Sequence, residues 1–148
     1  MQPGRSTLIL MADDDADDRL LARDAIAESK MPIELHFVEN GEDLMAYLHR
    51  RGKYSAASAP RPGLILLDLN MPKKDGREAL REIKAHPELR RIPVVILTTS
   101  QADTDIVQLY EMGANSFITK PVSFEALVNV MRALGNYWFE TVELPDSG

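Results

Sequence analysis

The chain has 148 residues, of which 45% are hydrophobic and 27% are charged, and its formal net charge is −6. This length fits one domain, and the composition is that of a folded globular protein rather than a disordered one. No apolar run approaches the ~18 residues of a membrane span, and the first residues lack the pattern of a secretory signal. We therefore expect a cytoplasmic protein without a membrane partner.

The composition also excludes several kinds of chemistry. There is no cysteine, which excludes disulfides, thiolate metal sites and cysteine nucleophiles. The three histidines, His36, His49 and His86, are too far apart for a local metal-binding motif. The acidic balance argues against a nucleic-acid partner, because binding to phosphate backbones requires a broad basic surface. The chemistry must therefore use carboxylates, hydroxyls and amines.

The hydrophobic pattern, taken in chain order, predicts five strands that alternate with five helices. The predicted strands cover residues 7–12, 33–37, 64–67, 94–97 and 116–119. The predicted helices cover residues 17–30 and the segments around Leu44, Ala79, Ile106 and Leu127. A loop rich in Ser, Ala and Pro, residues 52–63, is predicted to be mobile. Apolar strands separated by helices predict an α/β fold, a doubly wound parallel sheet with helices on both faces.

Polar residues follow four of the five predicted strands. Acidic residues follow the first and third strands, hydroxyl residues follow the fourth, and a Lys-Pro pair follows the fifth. Ligands of such sheets bind beyond the carboxyl ends of the strands, so these side chains should gather at one edge: Asp13, Asp14, Asp68, Thr98 and Lys120. Each feature alone has a structural explanation, such as a helix cap or a turn. Their occurrence at four strand ends favours a functional site.

The chemistry of this set suits phosphoryl transfer. Carboxylates that lie close together repel each other unless a cation compensates their charge. Oxygen ligands suit a hard cation, and Mg²⁺ takes one or two carboxylates while it keeps several waters. Lys120 supplies a positive charge and Thr98 a hydroxyl donor, the groups that hold the oxygens of a phosphoryl group during attack by a nucleophile.

Other enzyme classes lack their motifs in this sequence. There is no G-x-G-x-x-G after the first strand, no P-loop motif and no G-x-S-x-G, which argues against dinucleotide-binding, P-loop and α/β-hydrolase proteins. A hydrolase that forms an aspartyl phosphate would have a second acid two residues after its nucleophile. Asn70 occupies that position after Asp68.

Four sequence strings carry the residues at the strand ends, namely LILMADDD, LILLDLNMPKKDG, PVVILTTS and GANSFITKP. In this order and spacing they resemble the receiver domain of two-component response regulators, over about residues 8–134. The resemblance implies a flavodoxin-like fold of five parallel strands in the order 2-1-3-4-5. It also implies a receiver domain at residues 5–135 and a C-terminal extension at residues 136–148.

The resemblance implies a phosphoacceptor and a metal site. Asp68 would take a phosphoryl group from a phosphohistidine of a sensor histidine kinase. Mg²⁺ would be bound by Asp14, Asp68 and the backbone carbonyl of Asn70, with Asp13 in the same acidic pocket. The implied protein is not an enzyme in the ordinary sense, because its only reactions are Mg²⁺-dependent, self-catalysed phosphotransfer and autodephosphorylation.

The resemblance also implies residues that hold and time the phosphoryl group. Thr98 and Lys120 would contact it. Phe117 would be the aromatic switch residue, where many receivers have a tyrosine, so any switch must act through ring packing alone. Asn70 and Ser100 would tune the lifetime of the phosphorylated state.

A narrower resemblance concerns the stand-alone response regulators of bacterial and cyanobacterial phytochromes. It depends on the loop 52–63, the string LDLNMPKKDGREAL and the tail NYWFETVELP. It implies a phytochrome-type kinase partner and a homodimer built through the fourth helix, the fifth strand, the fifth helix and the tail. Tyr137, Trp138 and Phe139 are the expected dimer residues, since aromatic anchors are enriched at interfaces; the alternative is that they cap their own core.

The sequence is also compatible with other functions. The chain could be another free-standing receiver, of the chemotaxis type or acting as a phosphate sink. It could also be a receiver-like interaction module that does not use phosphate. The complete set of acidic, hydroxyl and amine residues favours a phosphorylation-driven switch over such a module.

Overall fold

The structure is a computed structural model that describes residues 7–55, 57–68, 71, 76–98, 113, 116–119 and 123–136. The helix predicted around Ile106 and the tail after residue 136 lie outside the described residues. Within the described ranges, no helix combines the length and the apolar character needed to cross a membrane.

Five parallel strands form one sheet in the order β2-β1-β3-β4-β5, which confirms the expected fold. The strands are β1 (Thr7–Ala12), β2 (Ile33–Val38), β3 (Leu64–Asp68), β4 (Val94–Thr98) and β5 (Ser116–Thr119). In the register of the sheet, Ala12 of β1 is opposite both Val38 of β2 and Leu67 of β3. The next residues along β1 and β3, Asp13 and Asp68, therefore reach the carboxyl edge of the sheet at the same level.

Four α-helices are described, and each follows a strand. They are α1 (Ala16–Ser29), α2 (Gly41–His49), α3 (Gly76–Ala85) and α4 (Phe124–Asn136), with a short 3-10 turn at Leu89–Arg91 between α3 and β4. Helix α4 is the fifth helix of the sequence prediction. It runs through Asn136, one residue past the expected end of the receiver domain.

The acidic run after β1 starts helix α1. The side chain of Asp15 accepts hydrogen bonds from the backbone N–H groups of Asp17 (2.8 Å) and Asp18 (3.3 Å), so Asp15 is the N-cap. Asp17 and Asp18 lie in the first turn, where the helix dipole favours negative charge. These three acids are therefore explained by local helix structure, which leaves Asp13 and Asp14 for another role.

Alternating side chains of the central strands form two separate cores, one on each face of the sheet. The core under α2 and α3 contains Leu10, Ala12, Ile65 and Leu67 of the strands. The core under α1 and α4 contains the alternate strand residues Ile9, Met11, Leu64, Leu66, Val95 and Leu97. Strand side chains alternate between faces. Asp13 and Asp68 directly follow Ala12 and Leu67, so they lie on the opposite face of the sheet, the one covered by α1 and α4.

The loop between α2 and β3 is held against the end of α2. The Tyr47 hydroxyl donates to the carbonyl of Pro60 (2.8 Å), Arg50 Nε donates to the carbonyl of Ala59 (3.2 Å), and Ala59 is buried. Arg61 Nη1 donates back to a carbonyl in the last turn of α2 (3.2 Å). The loop is therefore held by hydrogen bonds, although the composition of residues 52–63 predicts that it is mobile.

Candidate functional site

Three carboxylates meet at the carboxyl edge of the sheet, as predicted. One oxygen from each of Asp13, Asp14 and Asp68 lies within 4.8 Å of the other two. Asp13 and Asp68 are 0% and 4% exposed, whereas Asp14 is exposed to solvent. The cluster therefore has a buried floor of two acids and one accessible acid at its opening.

Asp13 is held in place at three points. Its backbone N–H donates to the carbonyl of Val38 at the end of β2 (3.1 Å), which extends the β1–β2 ladder by one residue. Its Oδ1 accepts a hydrogen bond from the backbone N–H of Asp15 (2.9 Å). Its carbonyl oxygen accepts one from Nη1 of Arg19 (2.8 Å). The other carboxylate oxygen, Oδ2, is fully buried, so this side chain has a fixed orientation in the cluster.

Asp68 is the last residue of β3, a strand in which all five residues are buried. It is paired in register with Leu97 of β4, and β3 lies between β1 and β4 at the centre of the sheet. The acid is therefore positioned by the most buried part of the fold. This rigid support suits a nucleophile, which must be aligned closely with its target.

The donor set fits a hard divalent cation. Three carboxylate oxygens close to one another create a concentrated negative charge that a cation would neutralise. Oxygen ligands with one side open to water are typical of Mg²⁺ and chemically similar ions. In such a site the ion would be bound by carboxylates of Asp14 and Asp68, with Asp13 beside them.

Of the remaining predicted site residues, the structure describes two, Thr98 and Phe117. The backbone of Thr98 ends β4 and pairs with Thr119 of β5, and the backbone of Phe117 pairs with Ile96. Phe117 thus belongs to the strand on which it was predicted, whereas Thr98, predicted to follow the fourth strand, is its last residue. Other predicted residues lie outside the described ranges, namely Asn70, Ser100, Lys120, Tyr137, Trp138 and Phe139.

Sequence patterning missed one residue of the site, Arg19. Its guanidinium joins two strand ends, because Nη1 contacts the Asp13 carbonyl and Nη2 contacts Oε1 of Glu39 (3.3 Å). A contact with a main-chain carbonyl does not require a particular side chain in the partner residue, so no sequence motif indicates it. The only available signal was the position of an arginine in the second turn of the helix that follows the acids.

Comparison with known proteins identifies the family. The response regulator receiver domain matches residues 9–132. The chain belongs to this family. Response regulator Rcp1 of Synechocystis sp. is 43% identical over 93% of this chain and 92% of its own length.

Solved structures of receivers have the same fold. The phosphorylated cyanobacterial phytochrome response regulator RcpA has a TM-score of 0.86 at 43% identity, covering 96% of this chain and all of its own. The Mn²⁺-bound form of response regulator Rcp1 has a TM-score of 0.83 at 42% identity, covering 95% and 99% of the two chains. The chain is therefore a receiver domain closely related to phytochrome response regulators, and a related receiver binds a divalent metal.

Proposed function

We propose that this protein is a single-domain response regulator that accepts a phosphoryl group on Asp68 from a phosphohistidine of a sensor histidine kinase. The observation that carries the proposal is the cluster of Asp13, Asp14 and Asp68 at the carboxyl edge of the sheet. Membership of the receiver family supports the same reaction. The similarity to Rcp1 and RcpA supports a phytochrome-type kinase as the partner in the phosphorelay.

The reaction begins with attack by a carboxylate oxygen of Asp68 on the phosphorus. A new O–P bond forms as the P–N bond of the phosphohistidine breaks, and the electron pair of that bond returns to the imidazole. Asp14, Asp68 and the Asn70 carbonyl would hold Mg²⁺, which would supply the positive charge that the transferred oxygens need. Asp13 holds its carboxylate beside the acceptor through the Asp15 N–H. Self-catalysed transfer and autodephosphorylation require no further enzyme.

Residues on the neighbouring strands would hold the phosphoryl group and report its presence. Thr98 ends β4 next to the acceptor strand, and Lys120 directly follows β5. We propose that the Thr98 hydroxyl donates a hydrogen bond to the phosphoryl group and that Lys120 forms an ion pair with it. Phe117 would act as the switch through ring packing. Asn70 and Ser100, two residues beyond Asp68 and Thr98, would control access of the hydrolysing water.

The proposal includes a homodimer. The surface would comprise the fourth predicted helix, β5, α4 and the tail, with Tyr137, Trp138 and Phe139 as anchors. Three consecutive aromatic residues support it, because each can bury ~150–250 Å² and two-fold pairing is the commonest assembly. Sedimentation of the full chain against a chain that ends at residue 136 tests it. Equal monomeric masses for both would make the tail an intramolecular cap.

Mass spectrometry after incubation with acetyl phosphate tests the acceptor. The wild type should gain one phosphoryl group only when Mg²⁺ is present, and Asp68→Asn should gain none. Asp15→Asn is the matched control, because it makes the same chemical change at the helix N-cap, where asparagine also caps well. Labelling of Asp68→Asn would refute the assignment. No labelling of the wild type would favour an interaction module that does not use phosphate.

A further inference from the structure

The exposed acid of the cluster is positioned differently from the two buried acids. Asp13 is held by hydrogen bonds and Asp68 by the central strand. Asp14 is exposed, and none of the hydrogen bonds or ion pairs within the described residues involves its carboxylate. Its position therefore depends on the main chain that carries it, above all on the peptide group that joins it to Asp13.

Arg19 contacts that peptide group directly. Nη1 of Arg19 donates to the carbonyl oxygen of Asp13 at 2.8 Å, and this carbonyl belongs to the Asp13–Asp14 peptide. The N–H on the other side of Asp13 is bound to Val38. That N–H belongs to the preceding peptide, so the chain is held on both sides of the Asp13 Cα atom. The Arg19 contact restrains rotation of the Asp13–Asp14 peptide and, with it, the direction in which the Asp14 side chain leaves the backbone.

We propose that Arg19 is a positioning residue for the divalent metal site, acting through the Asp13 carbonyl to hold Asp14 in place as a ligand. This inference rests on the proposed function, since it assumes that the acidic cluster binds a metal. Groups that orient metal ligands typically contribute 10–100-fold to metal affinity. Arg19 would do so from outside the ligand set, without touching the metal.

The charge of Arg19 cannot explain such an effect. A cation beside a metal site repels the metal, so charge alone would make Arg19 weaken binding. Its second contact, to Glu39 at 3.3 Å, offsets part of this charge. The Arg19 and Glu39 side chains are 18% and 69% exposed, so the guanidinium is largely covered by its contacts. Geometry and charge therefore predict opposite changes in metal affinity when Arg19 is removed.

Arg23 provides a matched control on the same helix. It lies one turn further along α1, and its guanidinium lies over the ring of Phe37 of β2, 5.3 Å from the ring centre. Replacing it with alanine removes the same charge and also a contact between α1 and β2. It leaves the Asp13 carbonyl contact intact.

Isothermal titration of the full chain with MgCl₂, at constant ionic strength, tests the inference. Arg19→Ala should bind Mg²⁺ about tenfold more weakly than the wild type. Arg23→Ala should bind it equally well or slightly more tightly. Arg19→Lys keeps the charge but not the forked contact, so its affinity should lie between those of the wild type and Arg19→Ala.

The outcomes separate this inference from the function on which it rests. If Arg19→Ala binds Mg²⁺ as tightly as Arg23→Ala, the positioning role is refuted while the metal site stands. Wild-type affinity in Arg19→Lys would show that a single donor to the Asp13 carbonyl is sufficient, and it would refute the need for the forked contact. A wild-type protein that binds no Mg²⁺ would refute the metal site and the positioning role together.

Discussion

The two edges of the sheet use charged side chains in opposite ways. At the carboxyl edge, Asp13, Asp14 and Asp68 turn their oxygens toward one another. At the amino edge, where helices end and strands begin, cations bind main-chain carbonyls. Nζ of Lys84 donates to the carbonyls of Arg90 and Ile92, both at 3.1 Å, and Arg61 donates to the end of α2.

This difference distinguishes charges that stabilise the fold from charges that serve a ligand. A cation near the C-terminus of a helix interacts favourably with the helix dipole and with carbonyls that have no partner in the helix. Like charges placed close together destabilise the fold unless an ion of opposite charge is bound between them. Substitutions at the amino edge should therefore change stability, and substitutions at the carboxyl edge should change the response to metal.

The largest effect is expected from Mg²⁺ itself. At one hundred times its dissociation constant, Mg²⁺ should raise the free energy of unfolding by about 2.7 kcal/mol, because the proposed site would exist only in the folded protein. Asp14→Asn should lose most of this increase, and Lys84→Met should keep it. Urea denaturation with and without MgCl₂ measures both. An equal response in the two variants would contradict the division between the edges.

A substitution at Gly113, which precedes β5 at the amino edge, should destabilise the protein by about 2 kcal/mol. Its φ of +107° disfavours other residues, and a Cβ there would lie 2.9 Å from Cγ of Lys84. Gly52→Ala is the control, since Gly52 has a φ of +62° and no atom within 4 Å of a Cβ. Gly113→Ala should therefore cost more than Gly52→Ala in urea denaturation. Equal costs would show that the contact with Lys84 is unimportant.

Loss of the Lys84 ammonium should cost about 1.5 kcal/mol, because two main-chain carbonyls lose a charged donor at a partly exposed position. Lys84→Met retains most of the alkyl chain and removes the charge. The free energy of unfolding should fall by the same amount with and without Mg²⁺. A change in Mg²⁺ affinity in this variant would mean that the amino edge communicates with the metal site.

The smallest effect is a pH dependence from His49. Burial, and then the nearby charges of Arg51 and His86, lower the pKa of His49 below its ordinary value of 6.5, while Glu82 opposes this shift. Between these two pKa values the unfolded chain binds a proton that the folded chain does not. Acidification through pH 6.5 should therefore lower stability. The free energy of unfolding should fall more steeply between pH 7 and pH 5 in the wild type than in His49→Gln, and parallel curves would refute this.

Much of the fold and the acidic cluster could be predicted from sequence, because both follow from simple periodicities. Parallel strands end at a common edge, so the residues at the carboxyl ends of β1 and β3 had to meet there, and Asp13 and Asp68 do. The start of α1 was predicted one residue late, since the capping role of Asp15 was not recognised within the acidic run.

The rest depends on contacts between side chains and main chain that leave no periodic pattern. The loop 52–63 has the composition of a mobile segment, yet Tyr47 of α2 and Arg50, the residue that follows this helix, bind its carbonyls. Arg19 is part of the site through a carbonyl oxygen, an atom that every residue possesses. Such contacts are decided by the orientation of packed helices, which hydrophobic spacing alone does not specify.

The packing of α1 against α4 has a consequence for the synthesis of the chain. Ala22 and Ala25 of the first helix share a core with Val128 and Met131 of the last described helix. The ribosome makes about 5–20 residues per second. The apolar face of α1 is therefore synthesised on the order of ten seconds before α4, the helix that packs against it. A chain that stalls before α4 would leave this face and the adjoining side of the sheet uncovered, and such transiently exposed apolar surface is prone to aggregation.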